Sequence, residues 1–254
     1  MGTAVAAHVK STSVERLTAL SRPALTEQGL AIADGTLETL KWGAAALMVV
    51  DHTNKFLCAE HLPGVFQIGR VVMPIFAFVL AYNLARPDAS TSGARERMII
   101  RLAFFGLAAA PFGIILNGTL VSAHAWWPLN ILFTLLLIVV LIDLIEKGGI
   151  PRRAAAVVLF LIGGALVEFL WFGIACGLGA WGYCRKPTAL RLSVWTLAIL
   201  SLSVVNQNAW ALTAIPLLLG ASKLTLRTPR LKWAFYALYP IHLMVLLLVK
   251  RVWF

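Results

Sequence analysis

From residue 40 onward, apolar stretches alternate with short polar connections. The first stretch covers 40–57, and the connection after it, 58–67, holds no Lys or Arg. The second covers 68–84, where Pro74 is expected to kink the helix. A basic connection, 85–97, leads to a third stretch over 98–116. Residues 117–127 carry no basic side chain and end in Trp126 and Trp127, a pair suited to the membrane interface. A fourth stretch, 128–145, runs into the charged residues 146–153. Residues 154–183 are apolar apart from Glu168, with basic residues at both ends. As one helix they would be about 45 Å long, well beyond the hydrocarbon thickness. Two short spans turning near 168–173 are expected instead. The stretch 190–222 has the same form, with its break at Asn206, Gln207 and Asn208, and the last apolar run is 233–249. The pattern predicts an all-α fold: a polytopic integral membrane helical bundle of about nine transmembrane helices over 37–254. Residues 1–36 read as a cytoplasmic tail, with a surface amphipathic helix at about 14–20.

Composition agrees with this pattern. Hydrophobic residues make up 60% of the chain, charged residues 13%, and mean hydropathy is +0.84. Soluble domains carry about 45–50% apolar and about 25% charged residues. The net charge of +11 raises the question of nucleic acid as a partner. The location of the charges argues against it. Eighteen of the 22 Lys and Arg fall in five groups, around 10–41, 86–101, 147–153, 185–191 and 223–232, separated by connections with almost none. That is the positive-inside pattern of a bacterial inner-membrane protein with a cytoplasmic N-terminus. Nine crossings place Lys250 and Arg251 on the opposite side, against the rule. Cys58, Cys176 and Cys184 show no metal-ligand spacing and read as packing residues, so no metal site is expected.

The chemistry is in the polar residues placed within the spans. Asp51 and His52 stand side by side in the first, where an aspartate near a helix centre costs about 2.5–3.5 kcal/mol on insertion scales. A histidine exchanges protons near neutral pH, and a carboxylate beside it can fix its tautomer. Arg70 lies just inside the second span, Asn130 in the fourth, Glu168 and Asn206 at turns, and His242 near the middle of the last span, two residues after Pro240. All are expected near the outer leaflet or the midplane, where a bundle could gather them around one wet cavity. Plainer roles exist for each. Asp51 could pair with Lys55 along the helix. Arg70 could snorkel to the interface, and His242 could cap carbonyls freed by Pro240. Glu168, Asn130 and Asn206 could be turn or cap residues. A proton-coupled transporter would use the same Asp-His pair as a relay.

Four segments resemble a known family. KWGAAALMVVDH at 41–52 is similar to the first-helix motif of the TraX family, the conjugative-pilin acetylases. GRVVMPIFAF at 69–78, with NLAR at 83–86, resembles the family's second block, although Met73 stands where the family has Phe. NILF at 130–133 resembles a third block, and FYALYPIHL at 235–243 the C-terminal one. TrbP, from other plasmid mating-pair systems, is similar as well. The resemblance implies an inner-membrane acyltransferase that acetylates the amino terminus of a conjugative pilin subunit, with acetyl-CoA as donor. It implies His52 as general base, Asp51 orienting it and Arg70 stabilising the oxyanion, with His242 and Tyr236 or Tyr239 on the same cavity. Arg86, Arg95, Arg97 and Arg101, then Arg227 and Arg230, are expected to meet the CoA phosphates. The competing expectations are a transporter and a non-catalytic pilus-assembly protein.

Overall fold

The computed structural model describes residues 30–117 and 126–253, and these contain helices and no strand. The expected amphipathic helix at 14–20, His8 and His124 lie outside the described residues. The α-helices in chain order are α1 (Asp34–Leu57), α2 (Pro63–Gly69), α3 (Val72–Leu84), α4 (Ala94–Leu116), α5 (Ile131–Lys147), α6 (Ile150–Leu166), α7 (Leu170–Arg185), α8 (Ala189–Ser201), α9 (Ser203–Asn206), α10 (Ala214–Ala221) and α11 (Lys232–Trp253). Among the described residues, four runs are long and apolar enough to cross a membrane: Pro63–Leu84, Ala94–Leu116, Ala189–Asn206 and Trp233–Trp253. Trp210–Ala221 is a shorter apolar helix. The chain is an all-α, multi-pass membrane protein.

α3 is the axis of the bundle. Eleven of its 13 residues are buried, which its near-uniform apolar sequence permits. α1 packs on one side of it and α7 on another, while α11 lies between α4 and α1. The break expected at Pro74 occurs earlier, at Arg70 and Val71. Pro74 falls in the first turn of α3, where its missing N–H has no intrahelical partner to lose. The turn expected near 168–173 lies at 167–169, between α6 and α7. These two helices, about 24–26 Å long, are short for a bilayer. Gly163 and Gly177 admit Leu137 and Ile138 of α5 at distances where a Cβ would collide, the close packing that small residues allow.

Lys250 has a local use. Its Nζ donates to the Leu116 carbonyl at 3.3 Å, capping the negative C-terminal end of α4.

Candidate functional site

Successive residues on a helix point about 100° apart, so Asp51 and His52 leave α1 on different faces and meet different partners. The Asp51 carboxylate accepts from Arg70 Nη2 at 2.7 Å, and both side chains are 16% exposed. Arg70 Nε donates to the Phe66 carbonyl at 3.0 Å, and the guanidinium lies 4.1 Å from the Phe66 ring centroid. Asp51 therefore neither orients His52 nor pairs with Lys55, and Arg70 does not snorkel outward. A Cβ at Gly69 would sit 2.6 Å from Asp51 Oδ1, so glycine is what lets the α2–α3 junction approach α1. The pair works as a clasp. Asp51→Ala strands a largely buried guanidinium, and the expected loss approaches the roughly 3–5 kcal/mol of a fully buried pair. Thermal or denaturant unfolding in detergent should show it, with partial recovery when Arg70→Ala is added. A change below about 1 kcal/mol would mean that the pair is solvated.

His52 turns to α11. Its Nδ1 lies 2.8 Å from Nε2 of His242. The rings are within 17° of parallel with centroids 5.0 Å apart, which suits an in-plane N–H···N bond better than a stack. His242 Nδ1 lies 2.9 Å from the Leu238 carbonyl, which can only accept. The proton is thus on Nδ1 of His242, and its Nε2 is an acceptor. His52 Nδ1 must then donate, leaving Nε2 of His52 as a free base. Tyr239 stands edge-on to both rings, with centroids at 6.3 and 5.3 Å. The partner that fixes the tautomer is another histidine, not the neighbouring carboxylate.

His52 opens onto a cavity of about 350 Å³, whose polar wall includes Lys55, Asn130, Glu168 and Tyr239, with Trp126 and Trp127 at its rim. Arg70 is absent from this wall. Asn130 is occupied structurally: its Oδ1 caps α5 by accepting from Leu132 N, and its Nδ2 donates to the Gly106 carbonyl.

A second cavity, of about 320 Å³, lies at the end of the bundle where α1 begins. Lys41, Arg97, Arg101 and Arg230 line it, and the one acid there, Glu38, pairs with Lys41 and, at 3.5 Å, with Arg230. Arg101 rests against Trp233 at 4.7 Å, which steadies its guanidinium. Between the two lies a small apolar neck of about 20 Å³, lined by Ala45, Met48 and Leu132 among others. Phe76, Leu135 and Phe235 are shared by the neck and the basic cavity, and Tyr239 by the neck and the histidine cavity. Lys41 and His52 are eleven residues apart on α1, about 16 Å along its axis.

The four arginines expected to bind a polyanion divide evenly. Arg97 and Arg101 face the basic cavity. Arg86 is held by Asp34 and lies 5.6 Å from the Tyr82 ring centroid. Arg95 is buried between Asp143, at 3.0 Å, and Glu146, at 2.5 Å. Both are removed from the ligand-facing set by acids that sequence spacing does not pair with them. Arg230 joins the wall, and so does Lys41, which the sequence offered only as the first residue of a motif.

Residues 36–250 match the family described as TraX protein. The chain belongs to the TraX family. The match takes in every residue of the two cavities and the neck. Membership implies a part in the processing of conjugative pili or pilin. No curated protein and no solved structure matches the chain.

Proposed function

We propose that this TraX-family chain is a membrane acyltransferase that acetylates the amino terminus of a conjugative pilin subunit, taking the acetyl group from acetyl-CoA. The observation that carries the reading is the succession of basic cavity, apolar neck and histidine cavity along one helix. CoA is a polyanion on a flexible arm. Arg97 and Arg101 suit its phosphates, which Arg engages through paired N–H donors, and Lys41 and Arg230, shared with Glu38, add positive charge beside them. From the phosphate ester oxygen to sulfur the arm has twelve bonds, roughly 14 Å when extended like backbone. That length is comparable to the rise from Lys41 to His52. On this reading the basic end is cytoplasmic, where the donor is, and the thioester meets the acceptor at His52.

The amine nitrogen attacks the thioester carbonyl. His52 Nε2 takes a proton from that nitrogen as the C–N bond forms. His242 accepts the Nδ1 hydrogen bond and so holds the ring in its reactive tautomer. The Tyr239 hydroxyl, on the wall of the same cavity, is the donor assigned to the oxyanion, a role that Arg70, committed to Asp51, does not fill. The intermediate collapses with cleavage of the C–S bond, and the thiolate leaves with the proton from His52.

Intact-mass analysis of a pilin incubated with the purified chain and labelled acetyl-CoA tests this reading. A gain of one labelled acetyl group is expected, and an unchanged mass would contradict it. The donor site has its own test. Arg97→Ala with Arg101→Ala removes two charge-assisted contacts of about 1.5–3 kcal/mol each, so affinity for CoA should fall at least tenfold. Arg86→Ala should leave it unchanged. Equal losses would place the phosphates elsewhere. A transporter using the same passage would bind no CoA.

A further inference from the structure

The histidine cavity has one feature that the transfer step leaves unused. Among the described residues, Glu168 is the only carboxylate on its wall. It does not sit there by default. The turn that presents it contains two consecutive non-glycine residues in the left-handed region, Phe169 at φ 64° and Leu170 at φ 51°. Such residues cost of order 1–3 kcal/mol each and persist where their surroundings over-determine them. The surroundings do so here. Glu168 N donates to the Leu129 carbonyl at 2.7 Å, Leu129 N donates to the Leu166 carbonyl at 2.8 Å, and Thr134 Oγ1 donates to the Glu168 carbonyl at 2.7 Å. These ties bind the turn to the start of α5 and hold the side chain over the cavity.

The charge has no direct neutraliser. Among the described residues, the buried acid Glu38 and the partly buried acids Asp51, Asp143 and Glu146 are all in ion pairs, with Lys41, Arg70 and Arg95. Glu168 forms no ion pair within 4.0 Å with any described residue. Lys55, the cation on the same wall, is exposed in the last turn of α1 and lies over the Phe56 ring at 5.2 Å. The Glu168 carboxyl meets the backbone N–H of Ile131 at the start of α5, and Tyr239, Lys55, Arg70 and Asp51 are the titratable groups near it, but no cation pairs with it directly. A cationic ligand would supply the partner.

We infer that Glu168 is the residue that receives the acceptor, by pairing with its ammonium group. The inference rests on the acyltransferase reading and deepens it. A terminal amine is mostly protonated near neutral pH and is no nucleophile in that form. In the cavity the ammonium pairs with the Glu168 carboxylate and gives up one proton to it. The neutral amine then attacks the thioester, and its second proton goes to His52. The acceptor thus loses two protons: one leaves with CoA as the thiol, and the other is released from Glu168 to water.

The test uses the full-length chain in detergent with acetyl-CoA and two probes, an apolar peptide with a free α-amine and the same peptide with a hydroxyl in its place. Wild type is expected to acetylate the amine and to leave the hydroxyl unmodified. Glu168→Gln keeps the shape and removes the charge. It should raise the KM for the amine at least tenfold and move the rate profile to higher pH, where solvent supplies the neutral amine. CoA binding, which belongs to the separate basic cavity, should stay within twofold of wild type. Amine transfer by Glu168→Gln equal to wild type, or a matching loss of CoA binding, overturns the inference while the acyltransferase reading stands. Equal acetylation of both peptides by wild type does the same. Transfer to neither peptide by wild type overturns both.

Discussion

His52→Ala should lower acetyl transfer by about 10²–10⁴-fold, the range expected when a positioned general base is removed. Binding of CoA should be unaffected, because the basic cavity lies about three helical turns away on α1. His242→Ala should lower transfer by a smaller factor. It removes the acceptor that holds His52 in its reactive tautomer and leaves the base itself in place. Transfer rates with labelled acetyl-CoA, measured on protein that still elutes as a folded species, check both. A His242→Ala rate equal to wild type would show that the pair is structural. A His52→Ala rate equal to wild type would remove the histidine from the mechanism.

The second large effect is expected at the neck. Ala45 is fully buried there. Ala45→Leu fills a space of about 20 Å³ and should block an arm passing from the basic cavity to His52. Misplacing a reacting group by an ångström already costs about 10²-fold, so transfer should fall at least that far. Overpacking should cost about 1–3 kcal/mol of stability, which unfolding in detergent would register. The informative contrast is between functions. CoA affinity should remain within about twofold, since Arg97, Arg101, Arg230 and Lys41 are untouched. A variant that transfers normally would mean that the donor does not use this route.

Much of this arrangement is legible in the sequence. The order of the helices follows from apolar length and from the alternation of basic connections, both of which act locally. Asp51, His52, Arg70 and His242 stand out because each is a costly residue in an apolar stretch. Their pairing is not legible. Adjacency in sequence suggested an Asp51–His52 couple, whereas a helix separates neighbours by about 100° and sends one to Arg70 and the other to His242. The fates of Arg86 and Arg95 depend on Asp34, Asp143 and Glu146, acids brought close only by packing. Glu168 was visible as an isolated charge at a turn. Its aim into the cavity depends on two left-handed residues, Phe169 and Leu170, for which no glycine gives warning. Asn130 illustrates the plainer outcome, since the expected cap is what its side chain provides.

The central claim is that an acetyl group bound as its CoA thioester at the basic end is passed to an amine at His52. The intact mass of the pilin recovered from cells carrying the wild-type chain, set against cells carrying His52→Ala, tests it most directly. A pilin heavier by one acetyl group at its amino terminus in the first, and unmodified in the second, is the predicted result. The same pilin mass in both would contradict the account.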